Sequence, residues 1–220
     1  WLAFAGCTTH PADESGLKPA TPTTGDESPS QLRARVHTEL AASYFDIGNV
    51  AVALEEIQEA LRADPNYGPA HNVAGVVYAQ LKEDRLAEES FQRAIRINPS
   101  DSDALHNYGM FLCQRKQEKE GIRYFTRAVR NPLYVNPDRS YVNAGLCSMK
   151  ANNENDAVDY FERALRSSPD NLQALLNLAS IQYKRGQMEA ARTLVGRFNN
   201  LVEPTAESLW LALRIEIGRA

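Results

Sequence analysis

The sequence has no run of 18 apolar residues, so no stretch of it is long and apolar enough to cross a membrane as a helix. Charge of one sign is missing as well. Its 24 Lys and Arg against 28 Asp and Glu leave a net charge of only -4 over 220 residues, which points neither to nucleic acid nor to binding along a lipid surface. The apolar-polar alternation that marks strands does not occur. Catalytic fingerprints are absent too: there is no phosphate loop, dinucleotide fingerprint, Gly-x-Ser-x-Gly elbow or His-Glu-x-x-His helix. Carboxylates such as Glu88-Glu89 and Asp101 with Asp103 fall on solvated helix faces or at helix starts, where they complement the helix dipole. These absences predict a protein that is not an enzyme, takes no cofactor and holds no metal.

What is present counts in 34s. Ala53, Ala87, Gly121, Ala157 and Ala191 follow one another at intervals of 34, 34, 36 and 34. A second register holds Gly75, Gly109 and Gly145, a third Ala60, Ala94, Ala128 and Ala164, and a fourth Phe91, Phe125 and Phe161. Pro65, Pro99 and Pro169 close three of the units. Gly inside a helix costs roughly 0.5–1 kcal/mol relative to Ala, so glycines returning in one register mark places where two backbones approach. A bulkier residue there would overpack the pair at about 1–3 kcal/mol, while the aromatic rungs fill the space between units. Each unit alone leaves an apolar face bare, so stability has to come from stacking.

The series resembles the tetratricopeptide repeat, a helix-turn-helix unit with a large residue, then Leu-Gly, Tyr, Ala, Phe, Ala and Pro at fixed places. The first unit reads His37, Leu40-Ala41, Tyr44, Ala53, Ile57 and Ala60, and the second His71, Ala74-Gly75, Tyr78, Ala87, Phe91, Ala94 and Pro99. Later units carry Tyr108-Gly109 with Phe125, Ala144-Gly145 with Phe161, and Leu178-Ala179 with Ala191. The resemblance implies an all-α, right-handed solenoid over 32–220. Five complete repeats fall at about 34–67, 68–101, 102–137, 138–171 and 172–205, with a partial sixth at 206–220. His37 and His71 occupy the large-residue rung, so they read as framework rather than as metal ligands.

The first thirty residues differ in composition. Pro11, Pro19, Pro22 and Pro29 lie among Thr, Ser, Gly and acidic residues, with Leu17 the one large aliphatic between Thr8 and Ser30, which is linker composition. Ahead of it, Trp1-Leu2-Ala3-Phe4-Ala5-Gly6-Cys7 reads as the tail of an apolar secretory segment that ends in small residues before a Cys. It is similar to a bacterial lipoprotein signal. That likeness implies removal of residues 1–6, acylation of Cys7 by more than one chain, stable anchoring, and a linker over 7–31. Export would place Cys113 and Cys147 in an oxidising compartment. They occupy nearly equivalent places in the first helices of adjacent units, and two readings stand: a disulfide between neighbouring helices, or two small buried hydrophobes.

In tetratricopeptide-repeat proteins the first helices line a concave groove that binds segments of partner proteins. Projected onto this chain, the groove includes Asn72, Val76, Ala79 and Gln80, then His106, Met110, Cys113 and Gln114. Units four and five add Arg139, Val142, Met149 and Lys150, then Gln173, Leu176, Tyr183 and Lys184. The carboxylate clamp of cochaperone repeats is not built, because its places hold Thr38, Ala42, Val73, Asp103 and Asn107.

A narrower resemblance lies mid-chain. Asn107-Tyr108-Gly109 with Phe111-Leu112, the two-residue insertion around Leu133-Tyr134 bracketed by Pro132 and Pro137, Arg139-Ser140 with Asn143, Gly145-Leu146, and Tyr160-Phe161 are similar to the PilW/PilF family. These are outer-membrane lipoproteins of type IV pilus biogenesis and stability. The resemblance implies a non-catalytic assembly factor at the outer membrane. Its partners would be the pilus secretin, whose multimer it supports, and other pilus components, with Asn107, Arg139 and Asn143 at the contact. Nucleic acid is not expected among the partners, and the membrane would be met only through the lipid. The other reading is a periplasmic repeat lipoprotein serving outer-membrane protein assembly or peptidoglycan hydrolases, which would share the anchor and the repeats but not the insertion.

Overall fold

A computed structural model describes residues 27–218, so Cys7, the segment 1–6 and most of the linker lie outside the described residues. The described chain folds into α1 (Pro29–Asp46), α2 (Val50–Ala63), α3 (Gly68–Gln80), α4 (Asp84–Ile97), α5 (Ser102–Gln114), α6 (Glu118–Ala128), α7 (Pro137–Lys150), α8 (Glu154–Ser167), α9 (Leu172–Lys184), α10 (Met188–Leu201) and α11 (Ala206–Ile217). It contains no strand. Each odd-numbered helix pairs with the even one after it, and α11 packs on α9 and α10. No described helix is long and apolar enough to cross a membrane.

The start of α1 corrects the linker boundary read at residue 31. Pro29 stands at the first helical position, where its missing N–H is no loss and its fixed φ is already helical. Ser28 caps the helix: its Oγ accepts from the Gln31 N–H at 3.2 Å, and the Gln31 side chain accepts from the Ser28 N–H at 3.1 Å. A proline that looks like linker in the sequence is here a helix start.

Between the two helices of every unit the chain turns through one left-handed residue. These are Gly48, Lys82, Lys116, Asn152 and Gly186, with φ between 57° and 80°. Each turn is closed by a backbone bond reaching back across the helix end, such as Glu83 N–H to Tyr78 O at 3.0 Å and Asn153 N–H to Ser148 O at 2.8 Å. Packing within the pairs is as tight as the glycine register implied. A Cβ built on Gly75 would lie 2.6 Å from the Phe91 ring, and one on Gly145 would lie 2.7 Å from the Phe161 ring. The glycines let the aromatic ring of the second helix lie flush on the backbone of the first.

Consecutive first helices pack on one another, α1 on α3, α3 on α5 and α5 on α7, while consecutive second helices make no comparable contact. The first helices are therefore the inner, more closely spaced layer and line the concave side. The regularity breaks once. Where other units connect through residues 64–67, 98–101 or 168–171, the third and fourth are joined by residues 129–136, and α6 ends early at Ala128. Pro132 explains the early stop, since it cannot donate to the helix and disfavours helical backbone at Asn131.

Candidate functional site

The concave wall carries one asparagine on each of four successive first helices: Asn72 on α3, Asn107 on α5, Asn143 on α7 and Asn177 on α9. All four are half-buried. Asn107 Nδ2 donates to Asn72 Oδ1 at 3.1 Å, Asn143 Nδ2 to His106 Nε2 at 3.4 Å, and Asn177 Nδ2 to the Gln173 carbonyl at 2.7 Å. The Oδ1 atoms of Asn107, Asn143 and Asn177 have no partner among the described residues. The carboxamides of Asn107, Asn143 and Asn177 are thus oriented through their nitrogens while their oxygens stay available to a donor, and Asn72 serves as the acceptor that orients Asn107.

Two clefts adjoin this row and share Met110 and Gln114. One, of about 210 Å³, is walled by Phe45, Val76, Phe91, Asn107 and Phe111. The other, of about 330 Å³, is walled by Asn143, Leu146, Met149, Lys150 and Asn177. A disulfide between Cys113 and Cys147, with Cα atoms 5.9 Å apart, joins α5 to α7 along the same cleft. The combination is an apolar floor with polar groups in a row and a flexible Met between the clefts. Such a surface can hold the backbone of an extended segment by its carboxamides and accept side chains of varied shape.

His106, projected onto the groove, is instead a framework residue with 1% exposure. Its Nδ1 lies 2.8 Å from Ser140 Oγ, and Ser140 in turn donates to the Tyr134 hydroxyl at 3.2 Å. With Nε2 accepting from Asn143, Nδ1 carries the proton and the ring is neutral. Burial, reinforced by the nearby Arg139 guanidinium, pushes its pKa down to about 4. Folding stability is expected to depend on pH as a result. Between the ordinary value of 6.5 and about 4 the unfolded chain takes up a proton that the folded chain refuses. Stability is expected to be full above that window, to fall as pH drops through it by on the order of 3 kcal/mol, and to level off below it. Urea melts across the window should show this slope in the parent and lose most of it in His106→Gln.

The remaining projected residues are spread more widely. Arg139 is exposed in the first turn of α7, outside both clefts. Tyr183 packs edge-on against Trp210 of α11, with ring centroids 6.4 Å apart, and Lys184 is exposed beside it. The clefts therefore bring together Asn107, Met110, Gln114 and Asn143, with Asn72 bonded to the row, and leave Arg139, Tyr183 and Lys184 at its margins. Sequence reasoning missed Phe45 and Asn177. Asn177 was detectable, since it stands 34 residues after Asn143. Among the described residues no group of three His, Cys, Asp or Glu side chains is placed to hold a metal ion.

Sequence profiles of the tetratricopeptide repeat match residues 38–102, 90–123 and 148–200. Over 199 residues the chain is 29% identical to the type IV pilus assembly protein PilF of Pseudomonas aeruginosa, spanning 88% of this chain and 79% of that protein. The crystal structure of PilW, a widely conserved type IV pilus biogenesis factor, superposes with a TM-score of 0.73 at 31% identity and covers 84% of this chain and 86% of its own. The solved Pseudomonas aeruginosa PilF structure gives a TM-score of 0.81 at 27% identity, with 86% of each chain covered.

Proposed function

Because the chain belongs to the PilW/PilF family of tetratricopeptide-repeat proteins, we propose that it is a non-catalytic scaffold of type IV pilus biogenesis whose concave wall holds a segment of a pilus component. The observation that carries this reading is the row of asparagines on α3, α5, α7 and α9, three of which line two connected clefts. A segment laid along the wall would meet a carboxamide on each of these four helices and apolar ground between them. The secretin multimer is the partner that fits this role, with the assembled fibre as the other pilus component to be supported. Acylation of Cys7 would fix the solenoid to the periplasmic side of the outer membrane. A tethered groove raises the local concentration of partner segments without any new contact. No step of this mechanism calls for a cofactor or for catalysis.

The reading is tested by Met110→Asp and by Asn107→Ala combined with Asn143→Ala, scored for secretin multimers and surface pili in the native host. Met110 lies at the junction of the clefts, so its variant should act as a hot-spot loss and weaken partner binding by about tenfold or more. Multimers and pili should fall together while circular dichroism stays that of the parent. Parental levels of both, with folded variants, would remove this surface from the mechanism.

A further inference from the structure

We propose that residues 129–136 form a second docking surface, separate from the groove, for an acidic and aliphatic segment of a partner protein. Leu133 and Val135 are each 85% exposed, the most exposed large aliphatic side chains among the described residues. They are held outward rather than left hanging. The Leu133 N–H donates to Asn131 Oδ1 at 3.0 Å and the Tyr134 N–H to the Asn131 carbonyl at 3.1 Å. The Asn131 side chain is tied to the Ser100 carbonyl at 3.2 Å. Between the two aliphatics Tyr134 turns inward, packs on the core beside α5 and accepts from Ser140.

A cleft opens on each side of this segment. One, of about 520 Å³, is lined by Arg163 and Arg166 with Tyr134 and Tyr141. The other, of about 350 Å³, is lined by Arg127 and Arg130 with Pro99 and Pro132. No carboxylate lines either cleft. Arg163 pairs with Asp159 at 2.8 Å and Arg166 reaches Glu162 only at 3.9 Å. Arg127 stacks over Tyr124, and Arg130 has no ion-pair partner among the described residues. A chain with a net charge of -4 thus gathers four guanidiniums around two exposed aliphatics at its one irregular connection.

Charge complementarity selects carboxylates for the clefts, and the aliphatic pair selects an apolar side chain between them. A protein segment fits better than a membrane. The net negative charge of the whole chain opposes approach to an anionic leaflet, whereas an acidic segment can lay carboxylates on the arginines to either side of the aliphatic pair.

The test is a photocrosslinking residue placed at Leu133 in piliated cells, with the attached peptide identified by mass spectrometry. The expected product is a crosslink to another protein, at a segment of net negative charge. It should fall by about tenfold when Arg130→Glu and Arg166→Glu are combined, since like charge then faces the partner's carboxylates. Arg130→Gln with Arg166→Gln should give a smaller loss in the same direction. Arg62→Glu with Arg85→Glu, exposed arginines of α2 and α4 outside both clefts, should leave the crosslink in place, which ties the loss to this surface rather than to net charge. A crosslink to lipid, to a second copy of this chain or to a neutral or basic segment overturns the proposal, as does an insensitive crosslink or none. Unchanged thermal melts of the charge variants show that the loss is one of binding.

Discussion

Replacing Phe161 by alanine is expected to lower stability by about 3–5 kcal/mol. The side chain is fully buried, its ring lies against the backbone of Gly145, and it belongs to a cluster with Val142, Leu178 and Ile181 that joins α7 and α8 to α9. Alanine would open a cavity where the missing Cβ of Gly145 supplies nothing to fill it. A repeat array is stabilised by its units and by the interfaces between neighbours, so the loss should be local as well as large. Hydrogen exchange is expected to show α7 to α10 opening at lower free energy while α1 to α4 keep their protection. A loss below about 1 kcal/mol, or uniform deprotection along the chain, would contradict the packing account.

The second large effect concerns Cys113 and Cys147. Joined as a disulfide they close a loop with a sequence separation of 34, and opening it by Cys113→Ser with Cys147→Ser is expected to cost about 3–4 kcal/mol on chain-entropy grounds. The bond crosses from one unit to the next, so it also fixes how α5 meets α7 along the second cleft. Neither thiol should alkylate on unfolding until reductant is added, as read by peptide mapping that keeps Cys7 separate. Two thiols that alkylate without reductant would show the pair to be small buried hydrophobes instead.

The scaffold was largely legible in the sequence because its rungs are steric requirements. Gly75, Gly109 and Gly145 are small because a phenylalanine ring lies where their side chains would be, and that need recurs with the period. The connection at 129–136 was legible for the converse reason, since its prolines and the step of 36 interrupt a strict count. The left-handed turns at Lys82, Lys116 and Asn152 were not legible. The fold imposes that conformation, and lysine does not advertise it as glycine does. His106 misled because a polar residue at a groove register can be turned inward when a neighbouring helix offers a hydroxyl, and Ser140 does so from α7. Phe45 was missed because the groove was projected from the second unit onward, although α1 supplies a wall of the first cleft.

The central claim is that the inner layer of first helices is where the partner binds. The most direct measurement is hydrogen–deuterium exchange on the chain with and without the purified pilus secretin. The account expects slowed exchange in α3, α5 and α7, centred on Asn72 to Asn143, and loss of that slowing in Met110→Asp. Slowed exchange on the second helices alone, or no change with the secretin bound, would contradict it.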